Sequence, residues 1–117
     1  MKFHCFDFKE RIKRSSEIRN LFKNGNKVSI DGAKLFFLLN NCKFNRIAFP
    51  LPRGYGNAVK RNHSRRFSRE VFRNIKSNLN IGYDMLFLVY PIQEKDSFYL
   101  RYEQFKMLCK KANIIID

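Results

Sequence analysis

Gly56-Asn57-Ala58-Val59-Lys60-Arg61-Asn62-His63-Ser64-Arg65-Arg66-Phe67-Ser68-Arg69-Glu70-Val71-Phe72-Arg73 is the stretch from which the rest of the chain can be placed. Wound as an α-helix at about 100° per residue, it brings Arg61, Asn62, Arg65, Arg66, Arg69, Arg73 and the following Lys76 into one arc about 140° wide. Phe67, Val71 and Ile75 fall on the other side, with Ser64 and Ser68 beside them and Phe72 at the seam. Such a helix packs one side on a core and holds guanidinium groups out in water. Arginine is the informative choice, because its planar fork matches phosphate oxygens in pairs and its plane stacks on bases, which a Lys ammonium does less well. A merely solvated face usually interleaves Glu with Lys to gain i,i+4 pairs. Here the single acid is Glu70, at the edge of the stripe, so the arc reads as a nucleic-acid surface.

Working outward, Arg53-Gly54-Tyr55-Gly56 is a flexible turn and Asn57 an N-cap for the long helix, which is expected to run to Leu79, with Gly82 as the left-handed residue beyond it. Upstream, Ala33 to Leu39 is a near-continuous apolar run, the pattern of a strand buried on both faces. Val28 and Ile30 form a brief strand before the Asp31-Gly32 turn. Arg46 to Leu51 is a third strand, in which Pro50 and Pro52 mark an edge, a bulge or the end, since proline cannot donate to a ladder. Asp84 to Tyr90 is the clearest strand, closed by Pro91.

A first short helix starts at Ser15 or Ser16 as N-cap, carries Ile18, Leu21 and Phe22 at helical spacing, and stops at Asn24-Gly25. A last helix follows the polar loop Gln93 to Asp96, with Ser97 as its N-cap and Phe98, Tyr102, Phe105, Leu108 and Ala112 on one side. Residues 1–14 read as a basic arm whose aromatics lean on the body. The predicted order is α-β-β-β-α-β-α, an α+β sandwich of helices on a sheet.

At 117 residues the chain has room for one domain, 1–117, and 44% hydrophobic residues with 13 Phe and 5 Tyr can fill its core. The net charge of +14 costs stability through self-repulsion, so an anionic partner is the economical explanation. No apolar run approaches the roughly 18–20 residues of a membrane span. Cys5, Cys42 and Cys109 are scattered and odd in number, which fits a reducing cytoplasm rather than a disulfide framework. The pair His4-Cys5 lacks a second pair at ligand spacing, so no metal site is read there.

The central segment resembles the signature of the bacterial ribonuclease P protein family. The residues that carry the likeness are Gly56, Ala58, Val59, Arg61, Asn62, Arg65, Arg66, Arg69, Glu70 and Phe72, joined by Ile18, Phe22 and Gly25 in the first helix. The resemblance implies a split β-α-β arrangement with a left-handed crossover, against the usual right-handed preference, and helices packed on a four-stranded sheet. It also implies two RNA surfaces. The catalytic RNA subunit would meet Arg53, Lys60, Arg61, Asn62, His63, Arg65, Arg66, Arg69 and Arg73. The single-stranded 5′ leader of precursor tRNA would meet Ile18, Phe22 and Phe36, of which Ile18 stands where the family often has an aromatic. His63 replaces an arginine of the family pattern, and Pro52-Arg53-Gly54 replaces Ser-Lys-Lys.

Hydrolysis by the protein itself would need clustered carboxylates holding metals, or a His pair. The ten acids are scattered, and Glu94-x-Asp96 reads as a solvated turn. The expectation is therefore an inactive protein on its own, assisting an RNA whose Mg²⁺ ions do the chemistry, with no membrane and no obligate protein partner. A structural RNA-binding protein of ribosomal type is the alternative that composition equally allows. A basic amphipathic membrane binder is disfavoured, because the apolar side of the helix is needed for the core.

Overall fold

The computed structural model describes residues 8–91 and 97–116. The first half of the basic arm with His4-Cys5, and the Gln93 to Asp96 loop, lie outside the described residues. The elements are α1 (Ser15–Asn24), β1 (Asn26–Ile30), β2 (Ala33–Leu39), β3 (Arg46–Ala48), α2 (Ala58–Ile75), β4 (Tyr83–Val89) and α3 (Phe98–Lys111), the expected order.

The four strands make one mixed sheet in the order β1-β2-β4-β3. β1 and β2 form a hairpin through Asp31-Gly32, where Gly32 takes φ +87°, a conformation that costs glycine least. β2 pairs antiparallel with β4, and β3 pairs parallel with β4. The parallel strands joined by α2 are therefore neighbours, and the split falls between β2 and β3, where β4 enters.

Register assigns the two faces. Val28, Leu35 and Phe87 line up on one side, where Ile47, Met85 and Val89 join them beneath Val71, Phe72 and Ile75 of α2 and Phe105, Leu108 and Cys109 of α3. On the other side Phe36, Leu86 and Leu88 pack with Leu21 of α1 and with Ile12. Met85 through Val89 are all buried, as a strand covered on both faces must be. Gly25 turns the chain from α1 into β1 by close approach: a Cβ there would lie 2.4 Å from the Leu21 carbonyl oxygen.

Several boundaries differ from the sequence reading, each for a local reason. β3 ends at Ala48, short of Leu51, before Pro50 and Pro52. α2 ends at Ile75, and Lys76–Asn78 tightens into a 3₁₀ turn that delivers buried Leu79 to pair with Ile115. Neither Ser15 nor Ser16 caps α1; the cap is Arg14, with no side-chain bond, and both serines lie inside the first turn. Asn57 and Ser97 do cap α2 and α3, each accepting a backbone N–H three residues on.

Residues 8–12 belong to the body rather than to an arm. After a 3₁₀ turn at Phe8–Glu10, Arg11 bridges beside Ile47 and the Ile12 N–H donates to the Ile47 carbonyl at 3.2 Å.

Phe67 and Phe72 exchange roles. The buried arc of α2 is Ser64, Ser68, Val71, Phe72 and Ile75, and Phe67 lies roughly 80° from its centre at 100° per residue. Phe72 is fully buried against Phe105, whereas Phe67 is half-buried on a flank.

Candidate nucleic-acid interface

α2 begins where the Asn57 side chain accepts the Lys60 N–H at 2.9 Å, so the first turn that carries Lys60, Arg61 and Asn62 is pinned. From that start the basic residues divide by helical angle. Asn62, Arg66 and Arg69 point away from the buried arc and are exposed, as are Lys60 and His63. Arg61 and Arg65 lie on the flank nearest the body and lean across the β3–α2 connection. Arg61 donates to the Pro52 carbonyl at 3.2 Å, and Arg65 donates through Nε to the Phe49 carbonyl at 3.4 Å. These bonds hold two guanidinium groups in place while leaving other N–H donors to be used. Arg53 is exposed in the connection itself, beside Gly54 at φ +83°.

Farther along, acids take up the charge. Arg73 pairs with Glu70 at 2.6 Å, and Lys76 pairs with the nearly buried Glu10 at 2.9 Å. Lys76 therefore leaves the stripe in which the helical arithmetic put it and instead ties the end of α2 to the N-terminal segment. The usable basic face is concentrated in the first three turns of α2.

The N-terminal segment, read from the sequence as a basic arm and not as part of the helix's basic face, adds cations beside that face. Arg11 and Lys13 line a groove of about 260 Å³ with Arg65, Arg69, Ile47 and Phe49. The signal was present in the sequence as period two: Lys9, Arg11 and Lys13 are exposed, while Glu10 and Ile12 between them are buried. On the opposite flank Val59, which is 77% exposed, lines a shallow recess with Asn62, His63 and Arg66. His63 stands edge-on to Phe67, ring centroids 4.5 Å apart, so its imidazole borders the basic face without joining the core.

The second surface lies on the other side of the sheet. Phe22 of α1 meets Phe36 of β2 edge-to-face at 4.9 Å. Phe22 is 41% exposed and Phe36 only 9%, so Phe36 is the floor and Phe22 offers the accessible ring; Ile18 is half-buried beside this cluster. Along the same face of the sheet, Lys34 Nζ sits 5.5 Å from the Tyr90 ring centre. An ion-pair fork holds α1 to the sheet. Arg46 donates through Nε and Nη2 to both oxygens of Asp84 at 2.8 and 2.6 Å, and through Nη2 to Glu17 at 3.1 Å. The bonds to Asp84, assisted by Glu17, push the Arg46 pKa further up against the opposing effect of burial.

Glu17 of α1 and Asp84 of β4 thus both engage Arg46. Among the described residues no group of three or more His, Cys, Asp or Glu is placed to hold a metal ion. No helix among them is long and apolar enough to cross a membrane.

Fold and site together define a class: a small α+β domain whose sheet and third helix hold one arginine-rich helix rigidly outward. A family model described as Ribonuclease P matches residues 6–113. The ribonuclease P protein component of Petrotoga mobilis is 31% identical over 106 residues, covering 91% of this chain and 90% of that protein. The corresponding protein of Borrelia duttonii is 36% identical over 106 residues, covering 90% of each. Among solved structures, the RNase P protein from Thermotoga maritima superposes with a TM-score of 0.77 at 25% identity, over 87% of this chain and 96% of that one. A Staphylococcus aureus RNase P protein mutant superposes with a TM-score of 0.82 at 21% identity, over 92% and 91%, a likeness of fold. The chain belongs to the ribonuclease P protein family, whose members are protein subunits of the enzyme that matures tRNA 5′ ends.

Proposed function

We propose that the first three turns of α2 bind the catalytic RNA subunit of ribonuclease P, and that the α1 side of the sheet receives the 5′ leader of precursor tRNA. The observation that carries this reading is the exposed set Asn62, Arg66 and Arg69, flanked by the tethered Arg61 and Arg65 on a capped helix. A rigid fan of guanidinium groups neutralises phosphates, releases counterions and brings two polyanions together. Arg53, Lys60 and His63 extend the contact around the start of the helix, and Arg73 contributes once Glu70 yields it.

On the second surface Phe22 supplies a ring for an unpaired leader base, with Phe36 holding that ring from beneath and Ile18 lining the wall. Mg²⁺ belongs to the RNA in this reading, and the protein's part is to position substrate and screen charge in the cytoplasm. The family match favours it over a structural protein of ribosomal type.

The leader is the only part that precursor and mature tRNA do not share, which makes the test direct. In the reconstituted ribonucleoprotein, Phe22→Ala is expected to weaken precursor tRNA about fivefold, the low end of a lost stacking platform, and to leave mature tRNA unchanged. Equal weakening of both would remove the leader from this surface.

A further inference from the structure

Beneath the basic helix lies a charged side chain that the RNA contacts do not use. Arg101 of α3 is 2% exposed, and it reaches into the buried arc of α2 between two serines that are themselves 1% and 2% exposed. Its Nη1 donates to the Ser64 carbonyl at 2.9 Å and to the Ser68 hydroxyl at 2.8 Å. The Ser64 carbonyl can accept a second bond because it has two lone pairs, so the helical ladder need not be broken to admit it. The guanidinium also lies 5.9 Å from the centre of the Phe67 ring, the ring against which His63 stands. The Ser64 hydroxyl in turn accepts from the Tyr55 hydroxyl at 3.0 Å, which carries the network into the connection that holds Arg53.

Burying a guanidinium is a poor way to gain stability, since a well-packed apolar side chain of similar volume generally does as well or better. What the guanidinium provides is direction. Both bonds leave one nitrogen, Nη1, for residues one helical turn apart on the same side of α2, so α3 grips that side of the helix and resists its rotation about its own axis. Side-chain atoms lie about 5–6 Å from a helix axis, so a turn of about 20° would move them by about 2 Å, enough to break a hydrogen bond to phosphate.

We infer that Arg101 is a positioning residue for RNA recognition: it sets the rotation of α2, and through Ser64 and Tyr55 the pose of the preceding loop, so that Arg61, Arg65, Arg66 and Arg69 converge on one RNA surface. The inference rests on α2 being the RNA face.

The test uses the full chain and its cognate catalytic RNA, with affinity measured across a salt series at a temperature where circular dichroism shows each variant fully folded. Arg101→Met keeps the volume and removes the bonds. It is expected to bind about three- to tenfold more weakly and to flatten the salt slope by about one to two contacts, with Arg101→Lys recovering part of both. A purely structural role leaves affinity and slope at the wild-type values once folding is complete, and that result in Arg101→Met overturns the inference. If Arg101→Met does not fold, Ser68→Ala, which deletes one acceptor and little volume, carries the same test. Weaker binding by folded Ser68→Ala supports the inference, and unchanged binding overturns it. The pair Arg66→Ala and Arg69→Ala in one chain serves as reference. If that pair weakens binding while Arg101→Met does not, only the positioning role fails. If neither weakens it, α2 is not the RNA face and both readings fail together.

Discussion

Removing Arg65, Arg66 and Arg69 together tests the RNA face by its salt dependence. Arg66 and Arg69 are exposed, and the one bond shown for Arg65 goes to a backbone carbonyl that water can satisfy in its place. Alanine is the better helix former at all three positions, so the fold should survive intact. Each phosphate contact contributes a slope of about 0.7–0.9 in log K against log[salt], so three contacts contribute about 2.1–2.7. Between 50 and 200 mM salt that difference corresponds to a loss roughly 20- to 40-fold smaller for the triple variant than for the wild type. The assay is filter binding or fluorescence anisotropy with the catalytic RNA over that range, alongside circular dichroism of each protein. A triple variant that is folded, binds more weakly at low salt and shows the flatter slope is the expected result. Parallel slopes would mean that these three arginines meet no phosphate, and the interface would have to be sought elsewhere.

Two further outcomes follow from the core. Phe72→Ala should cost about 3–5 kcal/mol in denaturant unfolding, because that ring is fully buried against Phe105, whereas Phe67→Ala, which removes a half-buried ring, should cost about 1–2 kcal/mol. Burial pushes the Cys109 thiol up to about 12, from about 8.5 in an unfolded chain. Between those values the unfolded chain holds fewer protons than the native one, so stability contributed by Cys109 is present below about pH 8.5 and is lost as pH rises toward 12. Cys109→Ala should therefore show a shallower alkaline decline than the wild type in denaturant titrations from pH 8 to 11.

Much of the architecture was legible because local and tertiary signals agree. The apolar runs at Ala33 to Leu39 and Asp84 to Tyr90 became the two central strands, and Asn57 and Ser97 capped the helices they precede. The failures came where packing from a distant segment decided the outcome. Phe67 and Phe72 are five residues apart, and which of them is buried depends on where α3 lies, information that no helical wheel contains. Lys76 could be placed on the basic arc by angle, but Glu10 lies 66 residues away and comes to it only through the parallel docking of residues 11–12 on β3. Arg101 was invisible for the same reason, since its acceptors belong to another helix. At the site, the residue types of α2 were readable, while the groove that Arg11 and Lys13 share with Arg65 and Arg69 required the fold.

Precursor tRNA cleavage at low Mg²⁺ tests the central claim most directly. The catalytic RNA is assayed alone, the protein alone, and the two together, from millimolar Mg²⁺ upward at fixed monovalent salt. The account predicts no cleavage by the protein alone and an acceleration of the RNA that is largest at the lowest Mg²⁺ and shrinks as the cation replaces protein charge between the two RNAs. Robust cleavage by nuclease-free protein without RNA, or an acceleration that does not depend on Mg²⁺, would contradict it.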